Sequence, residues 1–185
     1  PAIHHTRYGA QRVKDAICDP LRERFGQRPD VALTRPSVRV HAHANGADVT
    51  VSIDLAGEGL HRRGYRTVAG EAPLRENVAA GILLRAGWPQ LAAEGAALLD
   101  PMCGSGTIVI EAALIAADRA PNLGRDYFGF TDWRGHDAAL WERLRAAARA
   151  RIRTPEQGAK PRLCGSDIDA RAIRAADDNA RRAGV

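Results

Sequence analysis

The feature that most constrains this chain is an eight-residue stretch, Asp100-Pro101-Met102-Cys103-Gly104-Ser105-Gly106-Thr107, set between two apolar segments. Before it, Ala96-Ala97-Leu98-Leu99 is a short continuous apolar run, the pattern of a buried strand in a parallel sheet. After it comes a helix opened by Gly104 to Gly106 and carrying Ile108, Ile110, Ala112, Ala113, Leu114 and Ile115. Another helix is expected from about Asp137 to Arg153, a second short strand at Arg162-Leu163-Cys164-Gly165, and a helix from Ala170 to Ala183. Strand, glycine loop, helix, helix, strand, helix is a βαβ unit with a right-handed crossover. Such folds place their ligands outside the carboxyl ends of the strands, which puts the chemistry at this loop.

The loop's composition narrows the ligand. Glycines let the backbone turn sharply and approach a cofactor closely, and a carboxylate at the strand end suits an amino group, directly or through water. That combination fits the aminocarboxypropyl end of S-adenosylmethionine. A phosphate loop of the G-x-x-x-x-G-K-[ST] kind needs a lysine that is absent here, and the third glycine of a dinucleotide loop is replaced by Val109. Asp100 would also repel a pyrophosphate. The plain alternative is a glycine-rich strand-to-helix turn with no ligand. At the end of the next strand, Gly165-Ser166-Asp167-Ile168-Asp169 offers acidic residues where a βαβ unit accepts hydrogen bonds from ribose hydroxyls. Asp169 can equally cap the following helix, so the expected split is Asp167 on the sugar and Asp169 on the helix.

The first third has a different architecture. Val13, Ala16, Ile17 and Leu21 recur at helical spacing between Gly9 and Phe25, with Pro20 expected to kink or split that helix. Between Pro36 and Gly57 the period becomes two. Val38, Val40 and Ala42 alternate with Arg39, His41 and His43; after Asn45-Gly46, Val49, Val51, Ile53 and Leu55 alternate with Thr50, Ser52 and Asp54. This predicts a half-buried antiparallel hairpin. A further helix is expected from Pro73 to Ala86, with Glu71 and Glu76 near its positive end. The chain thus divides near residue 65, into 1–64 and 65–185.

Composition excludes several classes. The 185 residues are 45% hydrophobic and 26% charged, an ordinary globular balance. No apolar run approaches the roughly 20 residues of a membrane helix, and no leader is read at the start. Three scattered cysteines, Cys18, Cys103 and Cys164, with no C-x-x-C, exclude a disulfide framework and a structural zinc site and point to a reducing, cytoplasmic setting. The net charge of +5 is dominated by arginine, whose planar donor fork suits phosphate; arginine and alanine enrichment can also reflect genome base composition.

On these residues the chain resembles a known family. Asp100 to Thr107 followed by Ile110-Glu111-Ala112-Ala113 looks like motif I of the THUMP-containing class I S-adenosylmethionine-dependent RNA methyltransferases. Within that family it is most similar to the bacterial 23S rRNA guanine-N2 methyltransferases of the RlmL type. His61-Arg62-Arg63-Gly64-Tyr65-Arg66 and Glu71-Ala72-Pro73-Leu74-Arg75-Glu76 resemble the segment joining THUMP to catalytic domain. Tyr8-Gly9-Ala10, Val13 to Ile17, Arg39 to Val40 and Leu55-Ala56-Gly57 resemble THUMP. Arg119 to Leu123, Phe128-Gly129-Phe130 and Trp133 fit the insertion after motif I.

The resemblance implies an α/β architecture: the C-terminal part of an α+β THUMP domain over 1–64, then the first βαβ portion of a Rossmann-like methyltransferase over 65–185. It implies S-adenosyl-L-methionine as cofactor and large-subunit ribosomal RNA as partner, with methylation of a guanine N2 amine. Asp100, Pro101, Met102, Cys103, Gly104, Ser105, Gly106 and Thr107 would line the methionine end, Asp167 the ribose, and Glu76 is a further candidate. THUMP is implied to hold RNA through shape and phosphate. The rival readings are methylation of another base, such as adenine N6, and an RNA-binding module without activity.

One departure matters. The family places an Asn-Pro-Pro-Tyr-type loop after the fourth strand to hold the target amine. Asn45, Asn77, Asn122 and Asn179 are the only asparagines, and none precedes proline. No catalytic residue is therefore assigned, and the chain is read as a segment of such an enzyme. Its sheet is expected to be completed by the rest of the parent chain or by a partner copy.

Other residues receive plainer readings. His41 and His43 share a strand face without a third ligand, so no metal site is expected. His4 and His5 fit a ragged terminus. Cys103 lacks a histidine base, and small size explains it. Trp133 and Trp141 suit packing. Arg143, Arg145, Arg149, Arg151, Arg153, Lys160 and Arg162 form either a solvated face or an RNA phosphate track.

Overall fold

The computed structural model describes residues 5–34, 36–66, 73–154 and 161–185. Two compact units emerge, one formed by Pro1–Glu58 with Tyr127–His136, the other by Gly59–Asp126 with Asp137–Val185. The expected features at Glu71, Ala72, His4 and Lys160 lie outside the described residues.

The first unit begins with α1 (Thr6–Phe25). His5 caps it, its Nδ1 accepting from the Tyr8 N–H at 3.3 Å, so this histidine has a structural role at the terminus. Gly26 closes the helix at φ 75°, a left-handed conformation that glycine adopts without strain. The expected split at Pro20 does not occur: the helix runs through it. Pro20 and Ala16 are both exposed, so the Ala16 carbonyl that loses its i+4 donor is left to water rather than orphaned in a core.

Strands β1 (Arg39–Asn45) and β2 (Asp48–Asp54) form the expected antiparallel hairpin, with Arg39 opposite Asp54 and Asn45 opposite Asp48. The two loop residues are therefore Gly46 and Ala47, one position later than the Asn-Gly signal. Gly46 has φ 61° and Ala47 does not have positive φ, the demand of a turn with glycine at its first central position. The register puts Val40, Ala42, Ala44, Val49, Val51 and Ile53 on one face and Arg39, His41, His43, Thr50 and Ser52 on the other. The sheet is not half-buried, however. Val49, Val51 and Ile53 are all exposed, because a two-stranded ribbon has no second layer of its own against which to bury a face.

The open end of the hairpin is held by Tyr127–His136, which includes a 3-10 turn at Gly129–Asp132. The Phe130 N–H donates to the Leu55 carbonyl at 3.1 Å, and the Tyr127 hydroxyl to the Pro36 carbonyl at 3.1 Å. Asp54 Oδ1 accepts from the Ala56 and Gly57 N–H groups, fixing the turn that receives this segment. Gly57 and Gly129 face each other so closely that a Cβ on Gly129 would stand 2.8 Å from the Asp54 carbonyl oxygen.

The second unit holds α2 (Glu76–Arg85), α3 (Trp88–Ala93), β3 (Leu98–Asp100), α4 (Thr107–Ala116), α5 (Ala138–Ala150), β4 (Leu163–Gly165) and α6 (Ala170–Ala183). Helix α2 starts at Glu76, after Pro73, with Arg75 at its cap. β3 and β4 pair in parallel, Leu98 opposite Leu163 and Asp100 opposite Gly165. Leu98 and Leu163 pack on a core of Leu83, Trp88, Ala92 and Ala112, and the Trp88 indole N–H donates to the Ala112 carbonyl at 2.9 Å. β3 is not buried on both faces as its apolar run predicts: Leu99, pointing the opposite way, is 66% exposed. Among the described residues α2, α3 and α4 supply the core on one side only, and this parallel sheet has two strands.

The Gly57–Gly129 approach yields a test. Gly129→Ala should destabilise the first unit by about 1–3 kcal/mol, since the methyl meets backbone that cannot swing aside. Urea unfolding followed by near-ultraviolet signal measures this; an unchanged midpoint would show that the two segments separate at no cost.

Candidate cofactor site

The site is assembled from the loops that follow β3 and β4. Asp100, the last residue of β3, turns its Oδ1 back to accept from the Met102 N–H at 3.2 Å, which bends the chain out of the strand. Gly104 at φ 54° and Gly106 at φ 82° complete the turn. The two glycines are required for different reasons. A Cβ on Gly106 would stand 2.9 Å from the Ala176 Cβ, so this glycine admits α6. Around Gly104 nothing lies within 4 Å of such a Cβ, leaving its backbone open to a ligand.

The two loops are stitched to each other. Ser166 N–H donates to the Asp100 carbonyl and Cys103 N–H to the Ser166 carbonyl, both at 2.9 Å. The Gly104 N–H donates to Asp167 Oδ2 at 2.9 Å, while Asp167 Oδ1 accepts from the Asp169 N–H at 3.0 Å. These N–H groups hold the Asp167 carboxyl below the ordinary range, Asp169 contributing most and Gly104 next. Asp169 caps α6 by accepting from the Arg171 N–H at 2.8 Å, the helical role expected of it. From α6, the buried Asn179 donates through Nδ2 to the Ser105 carbonyl at 3.1 Å. The loop is thus pinned at three consecutive residues, Cys103, Gly104 and Ser105.

Behind Thr107 lies a set of buried charges. Arg66 Nη2 donates to Thr107 Oγ1 at 2.5 Å and to the Leu74 carbonyl at 2.7 Å, and Arg66 Nε stands 3.7 Å from Glu76 Oε1. One turn along α4, Glu111 Oε1 accepts from the Tyr65 hydroxyl at 3.0 Å and lies 3.5 Å from Arg63 Nε. Glu76 and Glu111 are 5% and 3% exposed. Burial raises the Glu111 carboxyl against the counter-pull of Arg63. Burial, followed by the Glu111 charge, drives the Tyr65 phenol far above its ordinary value, so it stays a donor. Two arginines against two glutamates leave the set neutral overall, the condition under which buried charge is tolerated.

The structure therefore brings Asp100 to Thr107 and Asp167 together at one end of the parallel sheet. Glu76 joins them only through Arg66. Met102 is 83% exposed and Ile168 wholly so, which leaves two apolar side chains flanking the acidic loops. Cys103 tucks against Gly165, where an added Cβ would stand 3.1 Å from its sulfur. Burial, then the charges of Asp100 and Asp167, raise its thiol, an environment opposed to a nucleophilic thiolate. Arg63, Tyr65, Arg66, Glu111 and Asn179 were not singled out from the sequence as site residues. The available signal was Glu111, a lone acid in the apolar stretch Thr107–Ala116, together with the density of Arg62-Arg63-Gly64-Tyr65-Arg66.

Two arginines in and just after α5 have acidic partners, and Arg145 and Arg149, four residues apart, share a side of the helix. Arg145 pairs with Glu142 at 3.1 Å and Arg151 with Asp118 at 2.7 Å, and Arg143 and Arg149, six residues apart, project to different sides of a helix with 3.6 residues per turn. Among the described residues no group of three or more His, Cys, Asp or Glu stands close enough to hold a metal ion, and no helix is long and apolar enough to cross a membrane.

Comparison with known proteins bears on this arrangement. Residues 63–185 match the family model described as RMKL-like, methyltransferase domain, and residues 2–54 match the THUMP domain. The chain is 53% identical over 186 residues to the ribosomal RNA large subunit methyltransferase K/L of Methylococcus capsulatus, covering all of this chain and 25% of that protein. It is 55% identical over 183 residues to the protein of the same name from Syntrophotalea carbinolica, covering 99% of this chain and 26% of that one. The chain thus spans about a quarter of the length of these curated relatives. Among solved structures it resembles SMU.472 complexed with SAH, at TM-score 0.75 and 36% identity over 92% of this chain and 43% of that one. It also resembles a predicted N6-adenine-specific DNA methylase from Listeria monocytogenes, at TM-score 0.74 and 36% identity over 93% and 43%. With some two thirds of its length under one family model, the chain belongs to the RMKL-like methyltransferase-domain family.

Proposed function

We propose that this chain supplies the cofactor-binding part of an S-adenosylmethionine-dependent methyltransferase that modifies the N2 amine of a guanine in 23S ribosomal RNA. The observation that carries the reading is the seam between the β3 and β4 loops, which sets the Asp100 and Asp167 carboxylates beside an open glycine backbone. The residues fit the cofactor's chemistry. Asp100, with Pro101 to Thr107, takes the amino-acid end, and Glu76 is a further candidate there. Each Asp167 oxygen accepts one backbone N–H and keeps a lone pair free for a ribose hydroxyl. The exposed Ile168 and Met102 side chains offer apolar contact for a purine face.

The bound cofactor would supply a methyl group already activated on a positively charged sulfur. The protein's task is alignment. No catalytic base is assigned within these residues, and the acceptors that hold the target amine belong to a part of the protein beyond this sequence. The same remainder is the favoured source of the strands that complete the β3–β4 sheet and cover Leu99. Residues 1–64 are assigned to RNA and 65–185 to the cofactor, in a cytoplasmic enzyme. The THUMP match and the exposed face of Arg39, His41, His43, Thr50 and Ser52 support an RNA partner. A second reading, methylation of adenine N6, is favoured by the Listeria structure; the ribosomal RNA naming of the curated relatives favours the first.

Calorimetric titration with S-adenosylhomocysteine should show micromolar binding, with NAD silent, and Asp167→Ala should weaken it at least roughly tenfold by removing both the sugar acceptor and the Gly104 tether. Equal binding of NAD would exclude this cofactor class.

The pH dependence follows from the same carboxylate. Its folded value is depressed, so the loop tether is complete above the ordinary aspartate range and fails as pH falls through the lower folded value. Homocysteine-analogue affinity should stay level from neutrality to about pH 4 and drop below it. A loss between pH 7 and 5 would assign the binding to another group.

For the substrate, full-length enzyme incubated with unmodified 23S rRNA and labelled cofactor should yield N2-methylguanosine on nucleoside digestion. N6-methyladenosine instead would establish the second reading.

A further inference from the structure

We propose that Arg66 is the positioning residue of the cofactor loop, a single guanidinium that fixes the separation between the start of α4 and the start of α2; this rests on the reading of Asp100 to Thr107 as that loop. Thr107 is the first residue of α4 and directly follows Gly106. Leu74 lies two residues before α2, and Glu76 is its first residue. Arg66 reaches all three, through Nη2 to the Thr107 hydroxyl oxygen and the Leu74 carbonyl and through Nε towards Glu76. No other described side chain is hydrogen-bonded to Thr107 Oγ1.

The arrangement depends on arginine. A planar fork presents donors in fixed relative directions, whereas an ammonium is a point charge on a flexible stem. Lysine at this position keeps the charge beside Glu76 but cannot hold the Thr107 and Leu74 oxygens in the same geometry. The Arg66 side chain is only 11% exposed and Glu76 7%, so the cation is retained by its acid rather than by water. Among the described residues Arg66 Nε has no hydrogen-bond partner, standing 3.7 Å from Glu76; the pair is held by charge, and the directional bonds go to the loop and to the segment before α2. The loop is therefore fastened on two sides: by Asp167 and Asn179 at Gly104 and Ser105, and by Arg66 at Thr107. A shift of the Thr107 end would carry Gly106, and with it the Gly104 backbone, away from the geometry the ligand requires.

The test is a double-mutant cycle on S-adenosylhomocysteine binding to the full-length enzyme, with Arg66→Lys, Thr107→Val and the pair, each checked for a cooperative thermal transition. If Arg66 acts through Thr107, each single variant weakens binding by roughly tenfold or more, and the double variant is no weaker than the poorer single. Additive losses, or wild-type affinity in either single variant, would overturn the positioning role, since a merely structural arginine would not couple to the Thr107 hydroxyl. Should Arg66→Lys lose its cooperative transition, Thr107→Val, which keeps the side-chain volume, decides: unchanged affinity overturns the proposal and a tenfold loss supports it. Failure of the wild-type full-length enzyme to bind would remove the cofactor reading and this proposal together; wild-type binding with unaffected variants removes only the latter.

Discussion

The hydrogen bonds that run from β4's loop into the glycine loop extend a parallel ladder only three residues long on each strand. Ladder bonds alone could not define where two such short strands end. Ser166 to Asp100, Cys103 to Ser166 and Gly104 to Asp167 continue the pairing past the strands, so each acidic loop is shaped by the other. The site's geometry is therefore a property of the pair. Gly165 and Cys103 belong to the same logic, since a larger residue at either place would wedge the loops apart.

The buried charges next to α4 show how the remaining side of the loop is secured. Four ionisable side chains, Arg63, Arg66, Glu76 and Glu111, sit where hydrophobic packing would be the cheaper way to gain stability. Their directional contacts reach Thr107, Leu74, Leu60 and Tyr65, joining the segment before α2 and the first turns of α4. Apolar side chains of equal volume would fill the space without specifying these separations.

Much of this was legible beforehand, because the informative residues act locally. The Asn45-Gly46 region announced a hairpin, the Asp100–Thr107 stretch a strand-loop-helix, and Asp169 a helix cap. What stayed hidden depends on distant partners or on missing layers. The hairpin alternates as a half-buried strand pair does, yet alternation says nothing about whether a covering layer is present. Pro20 was expected to interrupt α1, but its cost depends on whether the freed carbonyl reaches water. Helix α3 carries its signal in Gly87-Trp88-Pro89, with proline in the first turn, but at six residues it is too short for a helical period to show in the sequence. Thr107, the partner Arg66 holds on α4, is 41 residues away in sequence, and Glu111 meets Tyr65 from 46 residues away, beyond what any local pattern encodes.

The excursion of Tyr127–His136 into the first unit has a consequence for modularity. The polypeptide passes between the units three times, near residues 58, 126 and 136, so neither unit is a contiguous stretch of the gene. One proteolytic cut at residue 58 would leave the hairpin attached non-covalently through Phe130 and Tyr127. An N-terminal module of this kind cannot be lost or exchanged by recombination at a single boundary without stranding ten residues of its own structure in the other half.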